Sequence, residues 1–327
     1  MRPYADMHCD TISKIAYIPG NGGLFENKGH IDLKSLNKGG CAVQFFACFI
    51  DAEVHREHSE NELWDRCWQS VNGLIDVYER EIEINENFIR KVQCAADIDN
   101  NMKYEKISAV LAIEEGGIIN EDMERLWALY KRGVRLITLT WNYENCIGFP
   151  NSTNAECMRR GLKPFGVEII EEMQRLGMIV DVSHLSDGGF WDVASASEKR
   201  GIPFAVSHSC ARALKNHPRN LTDSMLRVVG QTGSVVGVNF CDQFLNDTGY
   251  SDIDSIVRHI IYMVNTAGSE SVGFGTDFDG IDSRLEIDKA DKMPLLIDAL
   301  GKAGLSAAVI DKICYQNVLR VIREVIK

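Results

Sequence analysis

Histidine and carboxylate side chains that could bind a metal ion stand close together near the N-terminus. His8 and Asp10 are two positions apart in a segment, residues 4–10, that has the composition of a strand end. Side chains two apart on a strand point to the same face, whereas Cys9 between them points to the other. An imidazole beside a carboxylate is half of a divalent metal site, most often a zinc site in hydrolases. Alone the pair is weak evidence, because a structural histidine also pairs with carboxylates.

Further residues of metal-binding type follow later apolar segments of the chain. Each one stands at the C-terminal end of a segment with the composition of a buried strand. A single histidine at such a position is more often a structural residue than a metal ligand. The occurrence of all these residues at strand ends, however, favours a hydrolytic site with two metal ions. In such a site a carboxylate bridges the ions, and a water between them loses a proton to become the nucleophile. These residues are Glu114 or Glu115, His184, His208 and Asp277.

The alternation of side chains along a strand separates the two neighbouring glutamates. If Leu111 and Ile113 pack outward against helices, Glu114 faces the interior of the sheet or barrel. Glu114 is therefore the predicted bridging ligand. Glu115 remains the alternative, because the two glycines that follow it allow the chain to bend and redirect its side chain.

The elements that would bring these side chains together are strands alternating with helices. Near-continuous apolar strands separated by helices indicate a parallel sheet covered on both faces. Eight of them predict a closed (β/α)8 TIM barrel, with the metal site at the C-terminal ends of the strands. An open doubly wound sheet would carry a Gly-rich nucleotide turn after its first strand, which this chain lacks. The predicted strands are 4–10, 40–50, 107–113, 134–140, 178–182, 202–206, 234–240 and 271–275, and the polar, Gly-rich stretch 11–36 is predicted to be a long loop over the site.

Composition limits the class of protein. A chain of 327 residues with 45% hydrophobic and 25% charged residues is typical of a globular protein, and residues 1–327 are predicted to form a single domain. The net charge of −12 and the lack of a basic run argue against a nucleic-acid partner. Without an apolar signal segment or membrane span, the sequence predicts a cytoplasmic protein with no membrane partner. The ten cysteines show no Cys-x-x-Cys spacing and are interpreted as reduced thiols.

Five short stretches carry a resemblance to a known family. DMHCD, AIEEGG, VDVSH, AVSHSCAR and FGTDFDG resemble, in order and spacing, the signature stretches of the membrane (renal) dipeptidase family, zinc peptidases related to the amidohydrolase barrels. The resemblance spans nearly the whole chain. It implies a metallo-dipeptidase with two zinc ions per chain in a (β/α)8 barrel. The implied substrates are small dipeptides, including those with a D-residue at the C-terminal position.

The resemblance also implies a role for each site residue. Asp277 would take the proton of the attacking water and pass it to the leaving amine. Arg219 matches the family arginine that binds the free carboxylate of the substrate, and such a clamp explains a preference for dipeptides over proteins. For the metal ions, His8 and Asp10 would hold one zinc, His184 and His208 the other, and Glu114 would bridge them.

One position departs from the family pattern. Trp141, followed by Asn142, stands where the mammalian members carry a histidine that helps to stabilise the tetrahedral intermediate. Loss of such a donor can cost roughly 2.7–4 kcal/mol of transition-state stabilisation. Either the second metal ion or Asn142 takes over that task, or the activity is weaker or directed at another substrate.

Two other functions compete with the dipeptidase interpretation. One keeps the two-metal site for another amide, a β-lactam or an ester. The other is a peptide-binding relative with weakened catalysis, which the change at Trp141 favours. The outer helices of such a barrel are compatible with a homodimer, although no apolar patch in the sequence points to one.

Overall fold

The computed structural model describes residues 2–327, whose strands form one parallel sheet. The strands are rich in Val, Ile, Phe and Ala because both faces of the sheet are buried. Their bounds are β1 (Tyr4–Asp6), β2 (Cys41–Phe49), β3 (Ile89–Lys91), β4 (Ile107–Glu114), β5 (Val134–Thr138), β6 (Ile179–Asp181), β7 (Ala205–Ser209), β8 (Val235–Val238) and β9 (Val272–Phe274).

Eight of these strands close into a barrel. β1 pairs with β2 and β9, β2 pairs with β4, and the strands from β4 to β9 pair in chain order. The short β3 pairs with the first residues of β4 in addition to this ring. The predicted (β/α)8 barrel is therefore confirmed.

Helices connect successive strands and cover the outside of the barrel. Several carry the capping residues expected at a helix start, such as Ser186, whose Oγ accepts a hydrogen bond from the Gly189 N–H. None of the helices within residues 2–327 combines the length and apolar composition needed to cross a bilayer. Their bounds are α1 (Thr11–Tyr17), α2 (Leu33–Gly39), α3 (Glu60–Ile84), α4 (Ala95–Lys103), α5 (Met123–Lys131), α6 (Ala155–Arg159), α7 (Pro164–Leu176), α8 (Asp187–Arg200), α9 (Asp223–Gln231), α10 (Asp242–Leu245), α11 (Ile253–Ala267), α12 (Met293–Lys302), α13 (Ala307–Asp311) and α14 (Asn317–Val325).

The buried apolar side chains form two layers. Leu111 and Ile113 of β4 belong to the layer between the barrel and its helices, whereas Val110 and Ala112 belong to the barrel interior. This is the alternation expected from the sequence, and it directs the next inward side chain, Glu114, toward the upper end of the barrel.

The C-terminal helix closes the lower end of the barrel. Val318, Val321 and Ile322 of α14 pack against the interior residues Met7 and Phe45. A π-helical turn, Lys312–Gln316, joins α14 to α13. Apolar contacts therefore fill the lower part of the barrel, while the polar site residues occupy the other end.

Two regions differ from the sequence prediction. The stretch 11–36 is not one long loop, because α1 follows Asp10 directly and α2 begins at Leu33. The side chain and backbone N–H of Ser35 form a capping box with Asp32, which fixes the start of α2. The structure also contains β3 and α4, which the sequence analysis did not identify.

Candidate metal centre

Six ionisable side chains from five strands meet at the upper end of the barrel. They are His8 and Asp10 after β1, Glu114 at the end of β4, His184 after β6, His208 in β7 and Asp277 after β9. All six are buried. The structure thus brings together every residue for which the sequence predicted a metal-binding or proton-transfer role.

The Glu114 carboxylate lies between the histidines. Its Oε2 is 3.2 Å from His8 Nε2, and its Oε1 is 3.1 Å from His184 Nε2 and 3.6 Å from His208 Nε2. The same Nε2 of His8 is also 3.3 Å from Asp10 Oδ2. One carboxylate therefore faces both halves of the cluster, which is the position a bridging ligand requires.

Glu115, the alternative bridging residue, points away from the cluster. Its φ of 97° turns the chain, and its carboxylate accepts hydrogen bonds from Gly117 N, Trp141 N and Asn145 Nδ2 at 2.7, 3.1 and 2.6 Å. These three donors occupy both carboxylate oxygens. The two glutamates therefore differ in position: Glu114 faces the cluster, whereas Glu115 is directed away from it.

Polar neighbours orient the two later histidines. Asn142 Oδ1 lies 3.0 Å from His184 Nδ1, and Ser207 Oγ lies 2.7 Å from His208 Nδ1. Ser207 Oγ in turn donates to Asp181 Oδ2 at 2.6 Å. Such contacts at Nδ1 leave Nε2 directed into the cluster, as in metal sites where an outer partner fixes the ring.

The loop after β9 holds Asp277 close to Asp10. Asp277 Oδ2 accepts a hydrogen bond from Asn239 Nδ2 at 2.9 Å, and Oδ1 lies 3.9 Å from His8 Nε2. A Cβ at Gly280 would lie 2.2 Å from Asp10 Oδ2 and 2.5 Å from Asp277 Oδ1. Only glycine allows the chain to pass this close to both carboxylates.

Left-handed backbone conformations concentrate in these strand-end loops. His184, Asp277 and Asp279 have φ values of 66°, 61° and 69°. Non-glycine residues adopt this region at a cost, and they do so mainly where the surrounding structure fixes them for a function.

Burial controls the protonation of the cluster. It lowers the pKa of His184 and His208 well below the usual histidine value, with nearby positive charge acting in the same direction. Both imidazoles are therefore neutral, the form that binds metal ions. Burial also raises the pKa of Glu114 to about 7, although the charge of His8 opposes that shift. For His8, burial is the largest single influence and acts to lower the pKa, but the charges and hydrogen bonding of Glu114 and Asp10 together outweigh it and raise the pKa well above the usual value.

The donor set fits divalent metal ions. Among residues 2–327, both ring nitrogens of His8 and Oδ1 of Asp10 are buried without a hydrogen-bond partner. Buried polar atoms are nearly always paired, so unpaired ones in a group of histidines and carboxylates are suited to bind a metal ion. Ligand atoms lie within 4.8 Å of one another in two overlapping groups, His8 with Glu114 and His208, and His8 with Asp10 and Asp277. Three imidazoles and three carboxylates make a set suited to zinc.

The cluster opens into a cavity of about 440 Å³. Its upper walls are largely apolar, whereas Asp10, Glu114, His184 and Asp277 lie among its lining residues. A volume of this size suits a small ligand. The apolar wall consists of Tyr17, Ile18, Phe49, Trp141, Phe244 and Ile281.

Comparison with known proteins agrees with this geometry. The sequence model of the membrane dipeptidase family, peptidase family M19, matches residues 2–327. The chain belongs to the membrane dipeptidase family. It is therefore a metallodipeptidase by family, as the resemblance of its strand-end motifs predicted.

Individual relatives align along most of the chain. An uncharacterized dipeptidase of Schizosaccharomyces pombe is 33% identical over 310 residues, which cover 91% of this chain and 73% of that protein. The dipeptidase tcpJ of Claviceps purpurea is 27% identical over 299 residues, covering 91% and 69%. An uncharacterized Klebsiella pneumoniae protein from the pqqA 5' region is 37% identical over 247 residues, covering 72% and 89%.

Solved structures of similar proteins share the fold. The dipeptidase AC, a metallopeptidase of family M19, superposes with a TM-score of 0.86 at 24% identity, covering 99% of this chain and 98% of that one. A metallopeptidase from Rhodobacter sphaeroides, liganded with a phosphinate mimic of the dipeptide L-Ala-D-Ala, gives a TM-score of 0.87 at 23% identity, covering 99% of both.

Arg219, the predicted substrate clamp of this family member, is buried and is not among the residues that line the cavity. Its guanidinium is 5.4 Å from the ring of Phe244, which lines the cavity, and one terminal nitrogen donates to the His208 carbonyl at 3.1 Å. Arg219 Nε is buried without a partner among the described residues. The side chain is thus near the cluster and retains a free donor.

Several buried residues outside the predicted set of ligand and catalytic residues hold the membrane dipeptidase site together. The Asp6 carboxylate accepts hydrogen bonds from Thr276 N and Oγ1 at 2.9 and 2.8 Å, which joins β1 to the loop after β9. The Asp279 carboxylate accepts from Thr11 Oγ1 at 2.6 Å and from His30 N at 2.8 Å. Asp6 and the equally buried Asp181 had a visible signal, an acidic residue inside an apolar strand, whereas the part played by His30 had none.

Proposed function

We propose that this protein is a zinc-dependent dipeptidase that hydrolyses the single peptide bond of small dipeptides, including those with a D-residue at the C-terminal position. The observation that carries the proposal is the buried cluster in which Glu114 faces His8 on one side and His184 and His208 on the other. In a chain of this family, that arrangement fits two zinc ions. The liganded Rhodobacter sphaeroides relative supports the inclusion of L,D substrates.

The proposed metal ligands are His8, Asp10, Glu114, His184 and His208. Bound there, the ions would supply positive charge for the developing carbonyl oxyanion and make an attacking water acidic near neutral pH. The protein groups fix the ligand orientations. Asn142 and Ser207 hold the rings of His184 and His208, and Glu114 presents one oxygen to each half of the cluster.

Asp277 is the proposed proton carrier. Its Oδ2 is held by Asn239, and its Oδ1 points toward His8 and Asp10. Burial raises the pKa of this carboxyl, which favours the uptake of a proton from the attacking water, and the same carboxyl can then pass that proton to the leaving amine. Because the same carboxylate accepts the proton and later donates it, the proposed reaction requires no second acid.

Arg219 is the proposed binding group for the substrate's free carboxylate. The buried guanidinium has an unpaired Nε among the described residues, and a dipeptide carboxylate would supply its partner. The cavity volume of about 440 Å³ suits two amino-acid residues rather than a long peptide.

Trp141 occupies the position of the family's mammalian histidine. Its indole packs edge-on against Phe49 and Tyr143, with ring centroids 4.7 and 5.5 Å apart. The neighbouring Asn142 is engaged with His184 through its Oδ1, and its amide nitrogen remains available to a substrate oxygen. We assign oxyanion stabilisation to the second metal ion together with this amide.

We further propose that residues 1–327 act as one catalytic domain in a reducing, cytoplasmic environment. All ten cysteines are free thiols and seven of them are buried, which suits a compartment that keeps thiols reduced.

The test is elemental analysis of the purified protein, combined with hydrolysis of an L,L and L,D dipeptide panel by the same zinc-loaded sample. We expect two zinc ions per chain and cleavage of both sets of dipeptides. Cleavage of a β-lactam or an ester without any dipeptide cleavage would replace the proposed substrate class. Tight binding of dipeptides without turnover would identify a binding protein, and a chain that takes up no metal would refute the cluster as a metal centre.

A further inference from the structure

The cavity wall contains one positive side chain that the proposed reaction does not use. Lys14 lies in α1, one helical turn after Asp10, and its backbone N–H donates to the Asp10 carbonyl at 3.2 Å. The side chain is half-buried and lines the cavity. Within residues 2–327, it is the only lysine or arginine among the residues that line this cavity.

Lys14 has no acidic partner in the described part of the chain. No carboxylate oxygen of residues 2–327 lies within 4.0 Å of its ammonium, whereas Lys34 and Lys289 both form ion pairs. Two acidic groups of the wall are already engaged. Asp10 belongs to the metal cluster, and the Asp279 carboxylate accepts hydrogen bonds from Thr11 and His30.

The remainder of the cavity wall offers a negatively charged ligand group no other positively charged partner in the described part of the chain. Tyr17 and Ile18 stand beside Lys14 in sequence, and Phe49, Trp141 and Ile281 complete the apolar surface. An ammonium group at the edge of such a surface attracts a carboxylate, since the contact is less exposed to water than on an open surface. A neutral side chain gains nothing comparable.

We propose that Lys14 selects dipeptides that carry an acidic side chain. The proposal rests on the dipeptidase function proposed above and names its preferred substrate class. The α-carboxylate of the dipeptide is assigned to Arg219, which lies 5.4 Å from the centroid of the Phe244 ring, and this leaves the Lys14 ammonium for a carboxylate of a substrate side chain.

Pairs of substrates that differ only in charge test the proposal. Glu-Ala is compared with Gln-Ala, and Ala-Glu with Ala-Gln, on the zinc-loaded wild type and on Lys14→Met and Lys14→Glu. The acidic member of at least one pair is preferred by the wild type. Lys14→Met lowers that Glu-to-Gln ratio of kcat/KM about tenfold, mainly through KM, and Lys14→Glu lowers it further.

Lys28→Met is the matched control. Lys28 is an exposed lysine that does not line the cavity, so its removal changes the net charge equally and leaves the ratio within about twofold. An equal loss for Glu and Gln substrates in Lys14→Met would show that Lys14 binds the α-carboxylate or only balances nearby charge. That result refutes the proposal, and so does a Lys14→Met enzyme in which neither substrate is affected.

Binding measurements separate this proposal from the proposed function. If the wild type cleaves none of the four dipeptides and no member of the L,L and L,D panel, the dipeptidase function fails. The Kd values of the same four dipeptides, measured by calorimetry on wild type and Lys14→Met, still decide the role of Lys14. A Glu-to-Gln affinity ratio that is the same in both proteins overturns it.

Discussion

Replacement of Gly280 by alanine tests whether the close approach of two carboxylates is essential to the site. Gly280 does not have a left-handed backbone, so alanine meets no conformational obstacle there. The added Cβ would lie 2.2 Å from Asp10 Oδ2 and 2.5 Å from Asp277 Oδ1, and ordinary contact begins at 3.4 Å. The two oxygens must therefore move by 1.2 Å (3.4 − 2.2) and 0.9 Å (3.4 − 2.5).

Displacements of this size act on binding and catalysis more than on folding. Overpacking of a core position costs about 1–3 kcal/mol of stability, which a chain of this size tolerates. A misplacement of about 1 Å in a catalytic group costs on the order of 100-fold in rate. We expect Gly280→Ala to lose about 100-fold in kcat with dipeptides and to bind zinc at least about tenfold more weakly, while it remains folded.

Zinc titration against a competing chelator, steady-state kinetics and thermal unfolding measure these effects. Gly73→Ala is the control, because a Cβ at Gly73, inside α3, meets nothing within 4 Å. That variant should be more stable than wild type by about 0.4–1 kcal/mol, with unchanged zinc affinity. A Gly280→Ala enzyme with wild-type zinc affinity and kcat would refute the placement of Asp10 and Asp277 in the functional cluster.

Three further changes have defined outcomes. Asp277→Asn should lower kcat by about 10²–10⁴-fold with zinc content unchanged by elemental analysis, and an active variant would remove Asp277 from proton transfer. Asn142→Ala should weaken zinc binding by about 10–100-fold in the chelator titration because His184 loses its partner, whereas Asn142→Asp should retain it; equal affinities in both variants would contradict the orienting role. Burial lowers the pKa of His259 to about 4, so the unfolded chain binds the extra proton first and stability falls as the pH drops from about 6.5 toward 4. In urea unfolding at equal metal loading, the decrease in the free energy of unfolding between pH 7.5 and pH 5 should be about 2 kcal/mol smaller in His259→Gln than in wild type. Identical decreases in both proteins would refute the assignment of this pH dependence to His259.

The strands and the polar residues at their ends could be predicted from the sequence, because both follow from the pattern of neighbouring side chains. Apolar runs of strand length gave all eight barrel strands, and side-chain alternation along β4 directed Glu114 inward. The ends of the strands were less accurate. The segment predicted as strand 4–10 is a strand only to Asp6, with a single further bridge between Cys9 and Phe278.

The features that could not be predicted from the sequence depend largely on contacts between segments that are distant in the chain. α1 begins without a side-chain cap and is only seven residues long, so the glycines that follow it dominated the local pattern. Asn142 gives no signal of a link to His184, because that contact exists only once β5 and β6 are paired. Likewise, Thr11 and His30 reach Asp279 across about 250 residues of chain, a relation that no local spacing encodes.

The pairing of β1 with β9 has a consequence for biosynthesis. His8 and Asp10 leave the ribosome before the other site residues, and β1 can pair early with β2, yet it gains its second partner, β9, at Asp6–Phe274 only after most of the chain has been made. The first strand and its ligands must therefore wait for the last strand before the ring closes, and contacts of such long sequence separation form slowly. A metal ion that binds only the closed ring would stabilise this final step, so supply of the ion during translation would determine how much of the protein reaches its native state.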